Sequence, residues 1–349
     1  QAAGRPMISI KNVEASNSIS FNSVIVDEAA RANPLDLLIP MSMGRRRIIL
    51  VGDHRQLPHL LEPKVEEQLA EKFELEKTQQ EMLKISLFQR LKESLQLLED
   101  KPGQPKRVVM LDTQFRMHPL LGDFVSKQFY EIKDLEAVKP GLSEDFFFHD
   151  VPGYEDKVCG WINAPVSMGV ATRKDGSLQR EAEANIIGRE ARKILSHCPD
   201  LSVGIITFYR AQVDTILESL QTEGLAERSD GKLQIAGQYQ YTSSENGEER
   251  ERLRVGTDDA FQGKEFDVVL LSMVRTLPAK IKIDDEDSLN SAYGFLRLDN
   301  RLNVAMSRQQ RLLIMVGDSS MATHPAALLA APSISALYSF CQGSHGTVF

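Results

Sequence analysis

Five short apolar runs stand out along the chain, and each meets a polar, chemically capable segment. Ser23-Val24-Ile25-Val26 runs into Asp27-Glu28, and Arg47-Ile48-Ile49-Leu50-Val51 into Gly52-Asp53. Val203-Gly204-Ile205-Ile206 meets Thr207-Phe208, Val268-Val269-Leu270-Leu271-Ser272-Met273-Val274 meets Arg275-Thr276, and Leu312-Leu313-Ile314-Met315-Val316 meets Gly317-Asp318. Continuous runs rich in β-branched residues predict central strands of a parallel sheet, buried on both faces. Open α/β sheets bind ligands just beyond the carboxyl ends of such strands, where these polar residues fall. Helical patterns lie between the runs. Residues 65–98 are long, charged and periodic, with Leu69, Phe73, Leu83, Leu87, Phe88, Leu91 and Leu95 as candidate buried positions. Residues 180–195 and 211–220 read as crossover helices of a parallel sheet. Residues 231–252, rich in Gly, Ser, Glu and Arg, read as a mobile surface segment. Residues 278–291, acidic around Asp284-Asp285-Glu286-Asp287, read the same way. Together the pattern predicts two α/β sheets, with a boundary between residues 107 and 116.

Composition narrows the class of function. A length of 349 residues suits one large domain or two ordinary ones. The net charge of -8 argues against a simple DNA-coating protein, while a local basic groove stays compatible with it. Cys159, Cys198 and Cys341 are far apart and form no Cys-x-x-Cys pair, which suggests neither a zinc site nor a disulfide framework and points to a reducing interior. No apolar run approaches the ~18 residues needed to span a membrane. No basic-then-apolar signal pattern opens the chain, so an intracellular protein, cytoplasmic or nuclear, with no membrane partner is expected.

Five constellations carry candidate chemistry. A strand ending in Asp27-Glu28 offers a Mg²⁺ ligand and a group to polarise an attacking water, the needs of a nucleoside triphosphatase; an ordinary acidic strand end reads the same way. Gly52-Asp53-His54-Arg55-Gln56-Leu57-Pro58 combines a tight turn with Gln56, whose amide suits a terminal phosphate, or is a plain Gly-Asp turn. In Gln114-Phe115-Arg116-Met117-His118-Pro119, Arg116 is a candidate phosphate ligand, His118 a structural hydrogen-bonding group, and Phe115 and Met117 core residues. Asp258-Asp259-Ala260-Phe261-Gln262-Gly263-Lys264-Glu265 precedes a buried strand. There Gly263 permits close backbone approach and Glu265 suits a ribose hydroxyl, unless this is only a charged turn. In Asn300-Arg301-Leu302-Asn303-Val304-Ala305-Met306-Ser307-Arg308, Arg308 is a candidate arginine finger, while Arg301 and Arg311 read as solvated charges or salt-bridge partners.

In this order, the five segments resemble the superfamily 1B helicases of the up-frameshift branch, over residues 23–318. In that family Asp-Glu-Ala/Ser, Gly-Asp-x-x-Gln-Leu, Gln-Tyr/Phe-Arg-Met-His-Pro, Asp-Ala-Phe-Gln-Gly-x-Glu and Arg-Leu-Asn-Val-Ala-x-Thr/Ser-Arg follow one another. The resemblance implies an α/β fold of two RecA-like P-loop NTPase domains with parallel sheets and ATP in the cleft between them. It assigns Mg²⁺ to Asp27, the general base to Glu28, γ-phosphate coupling to Gln56, γ-phosphate contacts to Arg116 and Arg308, and the ribose side to Gly263 and Glu265. The partner implied is single-stranded DNA or RNA, with movement 5′ to 3′. Thr207-Phe208-Tyr209-Arg210 resembles the family segment that helps hold that strand, and packing of its aromatics into the core fits the pattern equally. Residues 272–276 are a second, weaker candidate for that contact.

Two departures shape the expectation. No Gly-x-x-x-x-Gly-Lys-Ser/Thr loop is found; Gly231-Lys232 and Gly263-Lys264 lack the earlier Gly and the following Ser/Thr. Gln309-Gln310 stands where the family often has Ala-Arg. The domains expected are residues 1–110, a first domain truncated at its N-terminus with a helical insertion at 65–98; residues 111–325, the second; and residues 326–349, a tail. The expected activity is that of an ATP-dependent helicase whose isolated chain is ATPase-deficient, the P-loop lying upstream in the same protein or in another chain. The alternatives are one half of a split helicase and a non-enzymatic module that binds nucleic acid or a partner.

Overall fold

The computed structural model describes residues 20–57, 85–133, 135–243 and 249–349. The chain divides into two compact units, residues 1–109 and 110–349.

In the first unit, strands β1 (Phe21–Val26) and β2 (Gly44–Leu50) pair in parallel, with Val24 opposite Ile48 and Val26 opposite Leu50. Helix α1 (Pro34–Ser42) makes the crossover. It starts where Asn33 Oδ1 accepts from the Leu35 amide at 3.0 Å and where Pro34 presets the first helical φ. Helix α2 (Leu87–Glu99) begins at Ser86, whose Oγ accepts from the Gln89 amide at 3.1 Å. The two strands depart from the expected burial: Ile25 is 69% and Ile49 46% exposed. A parallel sheet is buried on both faces only when helices cover both, and α1 is the one helix between these strands. Leu87, Phe88, Leu91 and Leu95 are half-buried in α2, short of the burial expected, and residues 65–84 lie outside the described residues.

The second unit is built on one sheet. Strands β3 (Cys159–Asn163), β4 (Val203–Thr207), β5 (Leu253–Thr257), β6 (Phe266–Ser272), β7 (Gln309–Gly317) and β8 (Gly346–Val348) lie in the order β5-β4-β6-β7-β3-β8, every neighbouring pair parallel. The apolar runs divide by the two-residue period of a strand. Val268 and Leu270 of β6 join Val203 and Ile205 of β4 and Leu312, Ile314 and Val316 of β7 in one core. Val269 and Leu271 join Ile206, Leu313 and Met315 in the other. The first core is covered by α4 (Glu181–His197), through Ala184, Ile187, Ala191 and Ile194 at helical spacing, and by α5 (Arg210–Thr222). The second is covered by α3 (Pro119–Phe129), α6 (Glu286–Tyr293), α7 (Asp299–Ala305) and α8 (Pro332–Gln342). This is the α/β architecture expected, with helices on both faces of a parallel sheet.

Three segments differ from expectation. Within residues 231–252, Lys232–Ile235 pairs antiparallel with Ala226–Ser229, and Tyr241–Ser243 with Glu249–Glu251. The first pair turns on Asp230-Gly231, with φ of 49° and 76°, the two left-handed residues a tight hairpin needs. Within residues 278–291 the acidic run starts α6: Asp285 caps it by accepting from the Asp287 amide at 3.1 Å, and carboxylates are favoured at that end of a helix. Residues 326–349, expected as a tail, supply α8 and β8, whose Gly346 pairs with Cys159 and Val348 with Trp161.

A buried polar network locks the carboxyl end of β6. Glu183 and Arg180 are 0% and 1% exposed. Glu183 accepts from Arg180 Nη1 at 3.0 Å, Ser272 Oγ at 2.8 Å and the Val274 amide at 2.7 Å. Arg180 also donates to the carbonyls of Ala164 (2.7 Å), Pro165 (2.9 Å) and Gly169 (3.0 Å). Gln212 of α5 closes the network, accepting from the Arg180 amide at 2.7 Å and donating to Ser272 Oγ at 3.1 Å. Burial pushes the Glu183 carboxyl above its ordinary value, against the pull of Arg180 and of the hydrogen bonds. Just beyond the carboxyl end of β5, Asp258, fully buried, accepts from Arg301 Nη1 at 2.8 and 3.1 Å. Burial outweighs that partner and pushes Asp258 up to about 7.

Glu183→Ala leaves the Arg180 guanidinium buried without its carboxylate, and urea denaturation is expected to show a loss of about 3–5 kcal/mol. A loss under about 1 kcal/mol would mean the network tolerates an uncompensated buried charge. Asp258 ionises at a higher pH in the folded than in the unfolded chain. The stability it contributes is therefore full below its ordinary carboxylate range and is lost as pH rises toward 7. The melting temperature of Asp258→Asn relative to wild type should accordingly climb between about pH 4 and pH 7 and level off above. A difference that is flat across that window would count against it.

Candidate active site

In the first unit, β1 ends in Asp27 and Glu28, both exposed. Asp27 Oδ1 accepts from the Glu28 amide at 2.9 Å, and Glu28 has φ of 54°, a left-handed conformation uncommon for a residue with a side chain. The turn after β2 is packed against this strand end: the Val51 amide donates to Val26 O at 2.8 Å and the Ala29 amide to Val51 O at 2.8 Å. A Cβ on Gly52 would meet the Ala30 nitrogen at 2.8 Å, so this position takes only glycine. The turn is closed by Asp53, which accepts from the Arg55 amide and from Gln56 Nε2, each at 2.8 Å. Gln56 is thus held by Asp53 beside the Asp27-Glu28 strand end. His54 Nε2 meets Lys92 Nζ of α2 at 3.1 Å, and burial lowers the pKa of both groups.

In the second unit, three sequence segments converge. Gln114 Oε1 accepts from the amides of Arg116 (2.9 Å) and Met117 (2.7 Å), forming a turn that presents Arg116. His118 caps α3, its Nδ1 accepting from the Leu120 amide at 3.2 Å, and burial lowers its pKa. This is the structural role expected of it. Arg116 Nε donates to Glu265 Oε2 at 3.0 Å and Nη1 to Ser307 O at 3.2 Å. Gln310 Nε2 holds the other Glu265 oxygen at 3.0 Å. Gly263 has φ of 75° and open space around its Cα, so the glycine serves the turn before Glu265 rather than a close approach in this conformation. Arg308 is 1% exposed, donating to Val304 O (3.0 Å), Ser307 Oγ (2.8 Å) and Lys264 O (3.5 Å). Phe115, expected in the core, is exposed and packs over Gly141; Met117 is buried.

Arg116, Glu265 and Arg308 therefore assemble at the amino ends of β6 and β7. Thr207, Phe208, Tyr209 and Arg210 follow the carboxyl end of β4. Phe208 and Tyr209 are 2% and 5% exposed and belong to the core, and Thr207 is fully buried, so Arg210 alone of the four reaches the surface. The aromatics do not form an open stacking platform. Tyr209 Oη instead accepts from Arg275 Nε at 2.7 Å. Arg301 and Arg311 are ion-pair partners, of Asp258 and Asp267. Two members of the amino-end cluster, Ser307 and Gln310, were given no site role by sequence reasoning. The available signal was position: both flank the start of an apolar strand beside a motif arginine.

Among the described residues no helix is long and apolar enough to cross a membrane. Two family models, each described as an AAA domain, match residues 83–320 and 8–61. The chain is 27% identical over 304 residues to a regulator of nonsense transcripts 1 homolog of Neurospora crassa, covering 86% of this chain and 23% of that protein. It is 29% identical over 301 residues to the ATP-dependent helicase upf1 of Schizosaccharomyces pombe, covering 85% of this chain and 27% of that one. Arterivirus nonstructural protein 10 (helicase) is similar in structure at 13% identity, covering 93% of this chain and 48% of that one, with a TM-score of 0.36. The chain thus spans about a quarter of the length of the two relatives it matches in sequence. It belongs to the AAA-domain family whose model matches residues 83–320.

Proposed function

We propose that the chain carries the motor residues of an ATP-dependent nucleic-acid helicase that moves 5′ to 3′ along single-stranded DNA or RNA, inside the cell. The observation that carries this reading is the convergence of Arg116, Glu265 and Arg308, brought from three distant segments to one end of one sheet. A charged turn, a strand lead-in and a helix end have no shared structural reason to meet there. Two guanidiniums and a carboxylate at one end of the sheet suit a nucleotide, with phosphate oxygens for the arginines and a ribose hydroxyl for Glu265.

In the first unit the donor set fits a hard cation: Asp27 and Glu28 are exposed carboxylates on a strand end. Asp27 would hold Mg²⁺, which when bound with ATP neutralises charge on the phosphates. Glu28, aimed by its left-handed backbone, would accept the proton of the attacking water. Gln56 would report on the terminal phosphate by exchanging its bond to Asp53 for one to the ligand. Arg308 would stabilise charge on the transferred phosphoryl group, and that role requires it to leave its buried bonds. Arg210 is the exposed cation in the segment proposed to meet the single strand, and Arg275 is held by Tyr209 of the same segment.

No phosphate-cradling Gly-x-x-x-x-Gly-Lys-Ser/Thr loop is found in the sequence, and we place that loop outside these 349 residues, upstream in the same protein or in another chain. Calorimetry on the isolated chain is expected to give no micromolar ATP binding; a clear micromolar isotherm would remove the claim. The protein as encoded, with its P-loop, is expected to hydrolyse ATP faster when single-stranded DNA or RNA is added. Glu28→Gln should lower its kcat by about 10²–10⁴-fold, the usual contribution of a general base. Unchanged turnover in Glu28→Gln would take Glu28 out of that role. Binding of either polymer with no stimulated turnover would instead support the non-enzymatic module.

A further inference from the structure

The Arg116–Glu265 pair has a third member. Glu265 presents one oxygen to Arg116 Nε and the other to Gln310 Nε2, each at 3.0 Å. The carbonyl of Gln310 accepts from the His118 amide at 2.8 Å. One residue therefore touches both the carboxylate and the turn that presents Arg116. Its own place is fixed by the sheet: Gln309 pairs with Phe266 where β7 and β6 begin, which sets Gln310 beside Glu265.

We propose that Gln310 is a positioning residue for nucleotide binding, holding the Glu265 carboxylate in place when Arg116 leaves it for a phosphate. This rests on the function proposed above. Arg116 Nε cannot serve Glu265 and a phosphate at once. Glu265 has a half-exposed side chain, and once Arg116 departs, solvent competes for it. The Gln310 amide gives it a fixed donor through that exchange. The donor is neutral, so it holds the carboxylate without opposing Arg116's return.

The test uses the protein as encoded, with saturating single-stranded nucleic acid. Gln310→Glu removes the donor and adds a like charge, and is expected to raise KM for ATP about ten-fold with kcat nearly unchanged. Gln310→Lys keeps a donor and is expected to stay near the parent KM. With 2′,3′-dideoxyATP, which offers Glu265 no ribose hydroxyl, the parent and both variants should share one KM. An unchanged KM for ATP in Gln310→Glu, or an equal rise with the dideoxy nucleotide, overturns the proposal. A parent with no turnover would defeat the helicase reading instead, and a double-mutant cycle in urea on the 349-residue chain then decides the link itself. Coupling of Gln310→Ala to Glu265→Ala by about five-fold or more in the unfolding constant supports it, and additivity overturns it.

Discussion

Strand β6 is buried along its whole length between two parallel neighbours, and much of the second unit is placed by it. A strand in that position must be apolar on both faces and must satisfy all its backbone groups in its ladders. Its polar residues are then confined to its ends, where they have to be paired. At the amino end Asp267 is met by Arg311 Nε (2.8 Å), Arg250 Nη1 (3.1 Å) and the Ser202 amide (2.8 Å). Burial alone would raise that carboxyl, and these partners outweigh it and hold it low. At the carboxyl end Ser272 is met by Glu183 and Gln212. Both ends are thereby fixed to helices and neighbouring strands by charge-assisted bonds as well as by packing.

That arrangement separates two kinds of candidate chemistry. Glu265 precedes β6 and Arg308 precedes β7, so the cluster that suits a nucleotide lies at the amino ends of the strands. Arg210 and Arg275 follow β4 and β6, so the cations that suit a single strand lie at the carboxyl ends. A seven-residue strand spans about 23 Å at the usual rise of about 3.3 Å per residue, which keeps the two sets well apart. Ligands of open sheets are expected only at carboxyl ends. In this unit the amino-end cluster is built differently, from turns and a helix end locked by side-chain bonds.

Strands β4, β6 and β7 were legible because burial on both faces leaves an uninterrupted apolar run. The motif residues were legible as types. Their partners were not, because hydrogen bonds such as Gln310 to Glu265 join residues that sequence spacing cannot relate. Asp230-Gly231 is a readable hairpin signal that was hidden inside a polar stretch with the composition of a loop. The acidic run at 284–287 likewise had the composition of a loop and the position of a helix start. Residues 332–348 carry no motif, and only tertiary packing shows that they complete the sheet and its cover. Phe208 and Tyr209 show the reverse case, aromatics whose pattern fits stacking on a base and whose burial shows that they stack on the core.

Of the five described non-glycine residues with left-handed backbones, Val274 and Glu28 stand at strand ends that carry candidate chemistry. Val274 has φ of 67°, costly for a β-branched residue, and its amide is held by Glu183 at 2.7 Å. Glu28 has φ of 54° with its amide held by Asp27 at 2.9 Å. Each such conformation costs about 1–3 kcal/mol and persists only where surrounding bonds impose it. At Val274 the imposing bond comes from a buried network, and the result aims the following Arg275 at Tyr209. At Glu28 it comes from the adjacent Asp27 carboxylate. In both places a main-chain bond to an acidic side chain fixes the direction of the next functional residue, so the aim of Arg275 and of Glu28 is a property of the fold before any ligand arrives.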